Sequence, residues 1–231
     1  TTLQPEVNSA VITITQPGLY LLMSSLEVPL AGRGWNLIGY PVQESRPVTV
    51  ALQSINGQYQ TVYGYDATNP NDPWKIYDRN LPPTFNDLTK LDFGQGYWVN
   101  ITNTLDTTPI LQLKGTSSFT TTRQAQRGVI ALNLLYPPPT TYYGELDASA
   151  GLTANMPITA TIDGVICGIA RTREIEGKLM YLIKVRAAIP GDTQHTSCGA
   201  PGRVVIFSGI SQEPVKRLWD NNQVQLLKPE Q

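Results

Sequence analysis

Charge is what this chain has least of. Only 15% of its 231 residues are Asp, Glu, Lys or Arg, against roughly 25% in ordinary soluble domains. Their balance is −1, 17 basic against 18 acidic, and they are scattered singly. Without a basic field there is nothing to condense onto phosphates, so nucleic acid and anionic bilayers are excluded as expected partners. Histidine is as scarce: His195 stands alone, which leaves no zinc cluster and no serine triad. Long apolar runs are missing too. The segments Gly18-Leu-Tyr-Leu-Leu-Met23 and Val129-Ile-Ala-Leu-Asn-Leu-Leu135 fall well short of the ~20 residues a membrane helix needs, so no insertion is expected. The chain opens on Thr1-Thr2-Leu3-Gln4-Pro5, with neither Met nor a basic-then-apolar leader. That sets the expectation of a removed signal peptide or of a segment cut from a longer protein.

Two cysteines are present, Cys167 and Cys198. Joined, they would close a loop of about 30 residues and stabilise the fold by about 3–4 kcal/mol on the chain-entropy account. A secreted-looking composition favours that bridge, and two buried thiols in a reducing compartment are the alternative. If bridged, Cys198 cannot serve as a nucleophile beside His195.

Glycine (19) and proline (18) are abundant, and Thr recurs throughout. This is the composition of short strands and many turns, and it predicts an all-β chain of two β-sandwich-like domains. Strands are expected at Trp35 to Tyr40, Tyr59 to Tyr65, Trp74 to Tyr77, Tyr97 to Ile101, Ile110 to Leu113 and Val129 to Leu135 in the first half. Along 59–65, simple alternation puts Tyr59, Thr61, Tyr63 and Tyr65 on one face and Val62 on the other. After Pro47, the residues Val48, Ala51, Leu52 and Ile55 fall at helical spacing and predict one short helix. Three consecutive prolines in Tyr136-Pro-Pro-Pro-Thr140 favour extended polyproline geometry. They divide the chain into an N-terminal domain, 1–135, a linker, 136–140, and a separately folding sandwich, 141–231. In the latter, strands are expected at Tyr142 to Leu146, Ile158 to Ile162, Val165 to Ile169, Lys178 to Val185 and Arg203 to Phe207. Asp163-Gly164 and Glu176-Gly177 supply hairpin turns.

Two sets of motifs carry a likeness. Gly34-Trp-Asn-Leu-Ile-Gly-Tyr-Pro-Val42, Tyr63-Gly-Tyr-Asp66, Asp72-Pro-Trp-Lys-Ile-Tyr77 and Leu91-Asp-Phe-Gly-Gln-Gly-Tyr-Trp-Val99 resemble the "GWNL…GYW" modules of large secreted surface proteins in filamentous phototrophic bacteria and their relatives. Tyr143-Gly-Glu, Ile162-Asp-Gly-Val-Ile-Cys-Gly168, Tyr181-Leu-Ile-Lys-Val185 and Cys198-Gly-Ala-Pro-Gly-Arg-Val-Val-Ile-Phe207 resemble a β-sandwich module that often follows the first. The resemblance implies export and an extracellular or cell-surface setting, and it offers no catalytic residues to transfer.

Several constellations suggest chemistry. Asp66, Asn69, Asn71 and Asp72 gather oxygen ligands within seven residues, as calcium would require, though Asn and Asp also build ordinary turns; no other cofactor is implied. Asp78, Asp87 and Asp92 could converge as the paired carboxylates of a glycoside hydrolase. The aromatic residues Tyr63, Tyr65, Trp74 and Tyr77 could stack on the apolar faces of sugar rings, making polysaccharide an expected partner, or else pack in a core. Asn100-Ile-Thr102 matches the N-glycosylation rule. Finally Val11-Ile12-Thr13-Ile14-Thr15 is a β-branched stretch suited to adding a strand to a neighbour's sheet edge. The leading expectation is a non-catalytic structural or adhesive surface protein whose partners are copies of itself or other surface proteins. A carbohydrate-binding module is the alternative, and a glycoside hydrolase ranks third.

Overall fold

The computed structural model describes residues 2–4, 9–11, 24–102, 108–115, 137–147, 151–189 and 196–228. They form an all-β protein with one short helix, α1 (Val48–Ala51), continued by a 3₁₀ turn at Gln53–Ile55. Val48, Ala51, Leu52 and Ile55, the residues at helical spacing, are all buried.

In the first half, β4 (Gly34–Gly39), β6 (Tyr59–Tyr65), β7 (Trp74–Asp78) and β9 (Gly96–Ile101) make one antiparallel sheet in the order β4-β9-β6-β7. A hairpin-like pair, β3 (Ser24–Pro29) with β10 (Ile110–Gly115), and a short pair, β5 (Arg46–Pro47) with β8 (Lys90–Leu91), lie beside it. One face of the main sheet, carrying Ile38, Val62, Tyr97, Val99 and Ile101, packs with α1, Leu111 and Leu113 into a core. Burying that apolar area at about 25 cal/mol per Å² is the main source of this half's stability.

The strand at 59–65 does not keep simple alternation. Tyr59 pairs with Ile101 and Thr61 with Asn100, so one extra residue is inserted and the register shifts. A bulge of this kind reverses which face the following side chains take. Tyr59 therefore joins Val62 in the first core, while Tyr63 belongs to a different cluster on the opposite face. The expectation that Tyr59 and Tyr63 share a face is corrected accordingly.

The second half holds two four-stranded sheets. One has the order β14-β15-β11-β18, from β11 (Thr140–Leu146), β14 (Arg173–Ile175), β15 (Lys178–Val185) and β18 (Gln225–Leu226). The other is β13-β12-β16-β17, from β12 (Pro157–Ile162), β13 (Val165–Arg171), β16 (Val204–Ser208) and β17 (Val215–Leu218). Asp163 and Gly164 both have positive φ, as do Glu176 and Gly177, the geometry that matches a tight hairpin to strand twist. Tyr181, Ile183 and Val185 from the first sheet meet Ile158, Ala160 and Phe207 from the second in a sandwich core. The rings of Tyr142 and Phe207 cross it edge to face at 4.7 Å. Cys167 on β13 is joined to Cys198 by a disulfide, with Cα atoms 5.5 Å apart.

The halves meet sheet to sheet. The other face of β4-β9-β6-β7 carries Tyr63, Trp74 and Ile76, with Trp35 and Trp98 partly buried beside them, and it packs on Tyr143, Ile175, Met180, Leu182 and Val224. Of those partners Tyr143, Ile175, Met180 and Leu182 occupy the positions on β11, β14 and β15 that alternation turns away from the sandwich core, and Val224 immediately precedes β18. Pro138 and Pro139 are buried, and β11 already begins at Thr140. The result is a stack of three sheets, closed at one end by the β3/β10 pair and α1.

Candidate functional site

A groove of about 540 Å³ opens on the first half, beside the core rather than between the halves. Along β6 the inward positions are Val62 and then Gly64. A Cβ at Gly64 would lie 3.1 Å from the Tyr97 ring and 3.2 Å from Leu88, so both side chains pack directly against the β6 backbone there. Tyr97 and Leu88 line the groove at that point.

One wall is the turn that leaves β6. Asp66 Oδ1 accepts hydrogen bonds from Thr68 N at 2.9 Å and Thr68 Oγ1 at 2.6 Å, and both hold its carboxyl below the ordinary carboxylate value. The loop closes through Asp66 N donating to Pro73 O at 2.7 Å. The opposite wall is formed by Asp87, Thr89, Lys90 and Asp92 with Gln95. Ser45 donates its hydroxyl to Asp92 Oδ1 and lowers that group's pKa, aided by Lys90 at 3.2 Å. Asp92 N donates to the Tyr97 hydroxyl at 2.8 Å, which fixes the ring in the lining; burial raises the pKa of that phenol.

Asp87 turns toward the joint between the halves. Its Oδ1 accepts from Ile76 N at 2.5 Å, and its Oδ2 lies 2.9 Å from Lys184 Nζ. The same ammonium reaches Asp72 Oδ1 at 3.0 Å and the Trp74 carbonyl. Lys75 Nζ holds the other Asp72 oxygen at 2.8 Å. Burial works to raise the Asp72 pKa, but the two ammonium groups outweigh it and the net shift is downward. For Lys75 burial pulls down, Asp72 pushes up, and the net is upward.

These geometries redistribute the residues singled out from sequence. Of the four aromatics, Tyr63 and Trp74 are buried, Tyr77 is half-buried, and Tyr65 is 41% exposed. They form no shared flat surface, because the bulge and the second half place Tyr63 and Trp74 inside the joint. Tyr63 hydroxyl and Thr141 Oγ1 are hydrogen-bonded across it at 2.5 Å. The calcium loop is built as a turn: Asn69 Oδ1 accepts from Asp72 N at 3.3 Å, and both Asp72 oxygens face lysines where a cation would have to bind. Among the described residues no group of three or more His, Cys, Asp or Glu is placed to hold a metal. Asn71 lines a separate small pocket with Cys167 and Arg186.

Asp78 does not join the other two carboxylates. It is buried and accepts from Gln60 Nε2, Thr61 Oγ1 and Asn80 N, a structural role between β6 and β7. Asp87 and Asp92 do line the groove, Asp87 held by Ile76 N and Lys184 and Asp92 by Ser45 and Lys90. Asn100 is buried, and its Nδ2 donates to the Asn222 carbonyl, so the nitrogen a glycan would occupy is already engaged. Val11 ends β2 (Ser9–Val11), paired antiparallel with β1 (Thr2–Gln4). Ile12, Thr13, Ile14, Thr15 and His195 lie outside the described residues, as does the strand expected at 129–135. Gly64 and Gln95, which also line the groove, were not put forward as site residues. The signal available was a glycine at an inward position of an otherwise aromatic strand.

Comparison with known proteins finds no matching family model, no matching curated protein and no matching solved structure. Among the described residues no helix is long and apolar enough to cross a membrane.

Proposed function

We propose that this chain is a non-catalytic structural or adhesive component of an extracellular surface, assembling with copies of itself through its N-terminal strand. The observation that carries the reading is the sheet-on-sheet joint between the halves. A packed interface with Tyr63, Trp74 and Ile76 at its centre ties the halves together through buried apolar contacts, which suits a part that holds position under load. The disulfide adds to this, since such bonds persist chiefly in oxidising compartments. The likeness to secreted bacterial surface modules points the same way.

For assembly, β1 and β2 pair with each other and, among the described residues, with no other strand. Such a ribbon has outer edges able to extend a neighbour's sheet, and the β-branched residues that follow Val11 favour that geometry. The test is sedimentation of the full chain against a form lacking residues 1–15. Higher-mass species that disappear on deletion are expected. A full-length chain that stays monomeric at high concentration, or a mass unchanged by the deletion, removes the assembly reading.

A further inference from the structure

We propose that the outer edge of β4 is the acceptor for the N-terminal strand of a second copy, so that copies join head to tail. This rests on the assembly reading above and adds to it the surface that receives the strand.

The register of the first sheet decides which backbone groups lie on that edge. Tyr40 N donates to Gln95 O at 3.0 Å, and in an antiparallel pair the residues whose groups face the partner alternate along the strand. Asn36 and Ile38 therefore turn their N–H and C=O toward β9, while Trp35, Leu37 and Gly39 turn theirs away from it. Among the described residues β4 pairs with β9 alone. Leu37 is 45% exposed, and a Cβ on Gly39 would meet nothing within 4 Å, so there is room beside the strand.

Other edges of the stack are guarded. On β7, Ile76 N and Asp78 N donate to the side chains of Asp87 and Asn86, and Ile76 O accepts from Leu88 N. On β13, Arg186 N donates to Cys167 O, and its guanidinium donates to Ile166 O. Strand β17 carries Lys216 and Arg217, and β14 carries Arg173 and Glu174, charges of the kind that deter edge pairing. By contrast β4 reads Gly-Trp-Asn-Leu-Ile-Gly, without charge or proline.

The side chains at this margin select what enters. Trp35 Nε1 donates to Asn221 O at 3.0 Å, and Asn100 Nδ2 donates to Asn222 O. The β4 side of the first sheet thus lies against the segment leading into β18, itself the edge strand of its sheet. Leu37 pairs with Trp98 and Leu226 with Tyr143, and Trp98 and Tyr143 both belong to the joint. Paired residues share a face, so the exposed Leu37 and Leu226 form an apolar mouth where the joint opens to solvent. A strand laid beside β4 needs apolar residues toward that mouth and polar ones on its other face. Ile12-Thr13-Ile14-Thr15 alternates in this way and is uncharged. It also continues from β2, which among the described residues pairs only with β1. Main-chain bonds to β4 supply affinity, and the two isoleucines set the register. Donor strand and acceptor edge are different surfaces, so each copy gives one strand and takes one, and growth does not stop at a dimer.

Sedimentation of full-length variants tests the proposal. Leu37→Pro removes an outward N–H, a change that edge strands tolerate, and should weaken association by about tenfold or more. Leu37→Lys keeps the N–H but sets a charge at the mouth and should act likewise; at an exposed position, it carries the result if near-ultraviolet circular dichroism shows Leu37→Pro misfolded. The Leu37→Pro chain still donates, and the form lacking residues 1–15 still accepts, so their mixture should give a dimer and nothing larger. Oxidised variants carrying Leu37→Cys with Ile12→Cys or with Ile14→Cys should cross-link between copies. Leu37 variants that assemble like the wild type overturn the β4 acceptor, and if deletion of residues 1–15 still abolishes assembly, the N-terminal strand survives as donor. A full-length chain that stays monomeric overturns both readings. Cross-linking confined to single chains overturns the second copy as occupant, because the edge then takes the chain's own strand.

Discussion

The first half's sheet, β4-β9-β6-β7, is covered on both faces, whereas the outer sheet of the second half, β13-β12-β16-β17, is covered on one. The contrast is visible in side chains. Val62 and Val99 go to one core and Tyr63 and Ile76 to another, so both faces of the first sheet are apolar. On the outer sheet Ala160 and Phe207 are buried, while Ile166, Ile169, Val204 and Leu218 on the far side are exposed. The lesson concerns where cohesion lies. A sheet buried on both sides joins two hydrophobic cores and couples their unfolding, while a sheet buried on one side ends the stack and needs other restraint. Here the disulfide fastens the edge strand β13 of that outer sheet.

The sharpest way to break the comparison is to hollow out the shared face. Trp74→Ala removes a large ring at the joint and should cost about 3–5 kcal/mol, as other buried Trp or Phe truncations do. Because that face serves both halves, the wild-type chain should unfold in a single calorimetric transition, and the variant should show two. A variant that retains one transition at unchanged temperature would mean the halves are coupled by something else.

Next in size is the restraint on the singly covered sheet. Replacing Cys167 and Cys198 by Ala should cost about 3–4 kcal/mol by releasing the loop they close. Because the joint couples the halves, the loss should reach both. Hydrogen exchange of the most protected amides should accelerate in β12, β13 and β16 and in β4 and β9 alike. Acceleration confined to β12, β13 and β16 would show that the second half opens without the first and that the joint does not couple them.

The same contrast explains what could be read from the amino acids. In the outer sheet of the second half the strands bury one face, and along β12 alternation is clean: Ile158, Ala160 and Ile162 are buried while Thr159 and Thr161 are half-buried and Pro157 is exposed. The strands at 140–146, 157–162, 165–171, 178–185 and 204–208 match the expected ones closely. In the first half β4, β6, β7, β9 and the helix were also legible, because Trp, Tyr and Ile mark strands wherever they are buried. What alternation cannot convey is which partner covers a face. Tyr63 and Trp74 read equally well as surface or as core, and only the packing of β11 and β15 decides. The bulge at 59–61 was hidden for a related reason: it is specified by the pairing of β6 with β9, not by its own residues. Strand β3 went unread because Pro29 and the exposed Leu26 give it weak alternation.

The smallest expected effect comes from the polar edge of the joint, where Lys184 reaches from the second half to Asp72 and Asp87 on the first. Lys184 is 12% exposed but Asp72 is 46% exposed, so solvent screens the pair and its worth is about 1 kcal/mol or less. Its pH dependence has a definite sign. Asp72 is held below its ordinary value by Lys75 and Lys184 against the pull of burial, so the unfolded chain binds its proton more readily than the folded one. The stabilisation is therefore complete above about pH 4, where an unfolded Asp is ionised, and is lost as pH falls through the lower folded value. Lys75 is raised, so its share is complete below about pH 10 and is lost only as pH rises past its folded value. Asp72→Asn should thus lower the melting temperature at neutral pH, by a few degrees at most, and the gap should close as pH falls through the lowered folded value of Asp72. A gap that persists undiminished at pH 2 would show that the carboxylate's charge contributes nothing to the joint, leaving the two-sided apolar sheet as its whole cause.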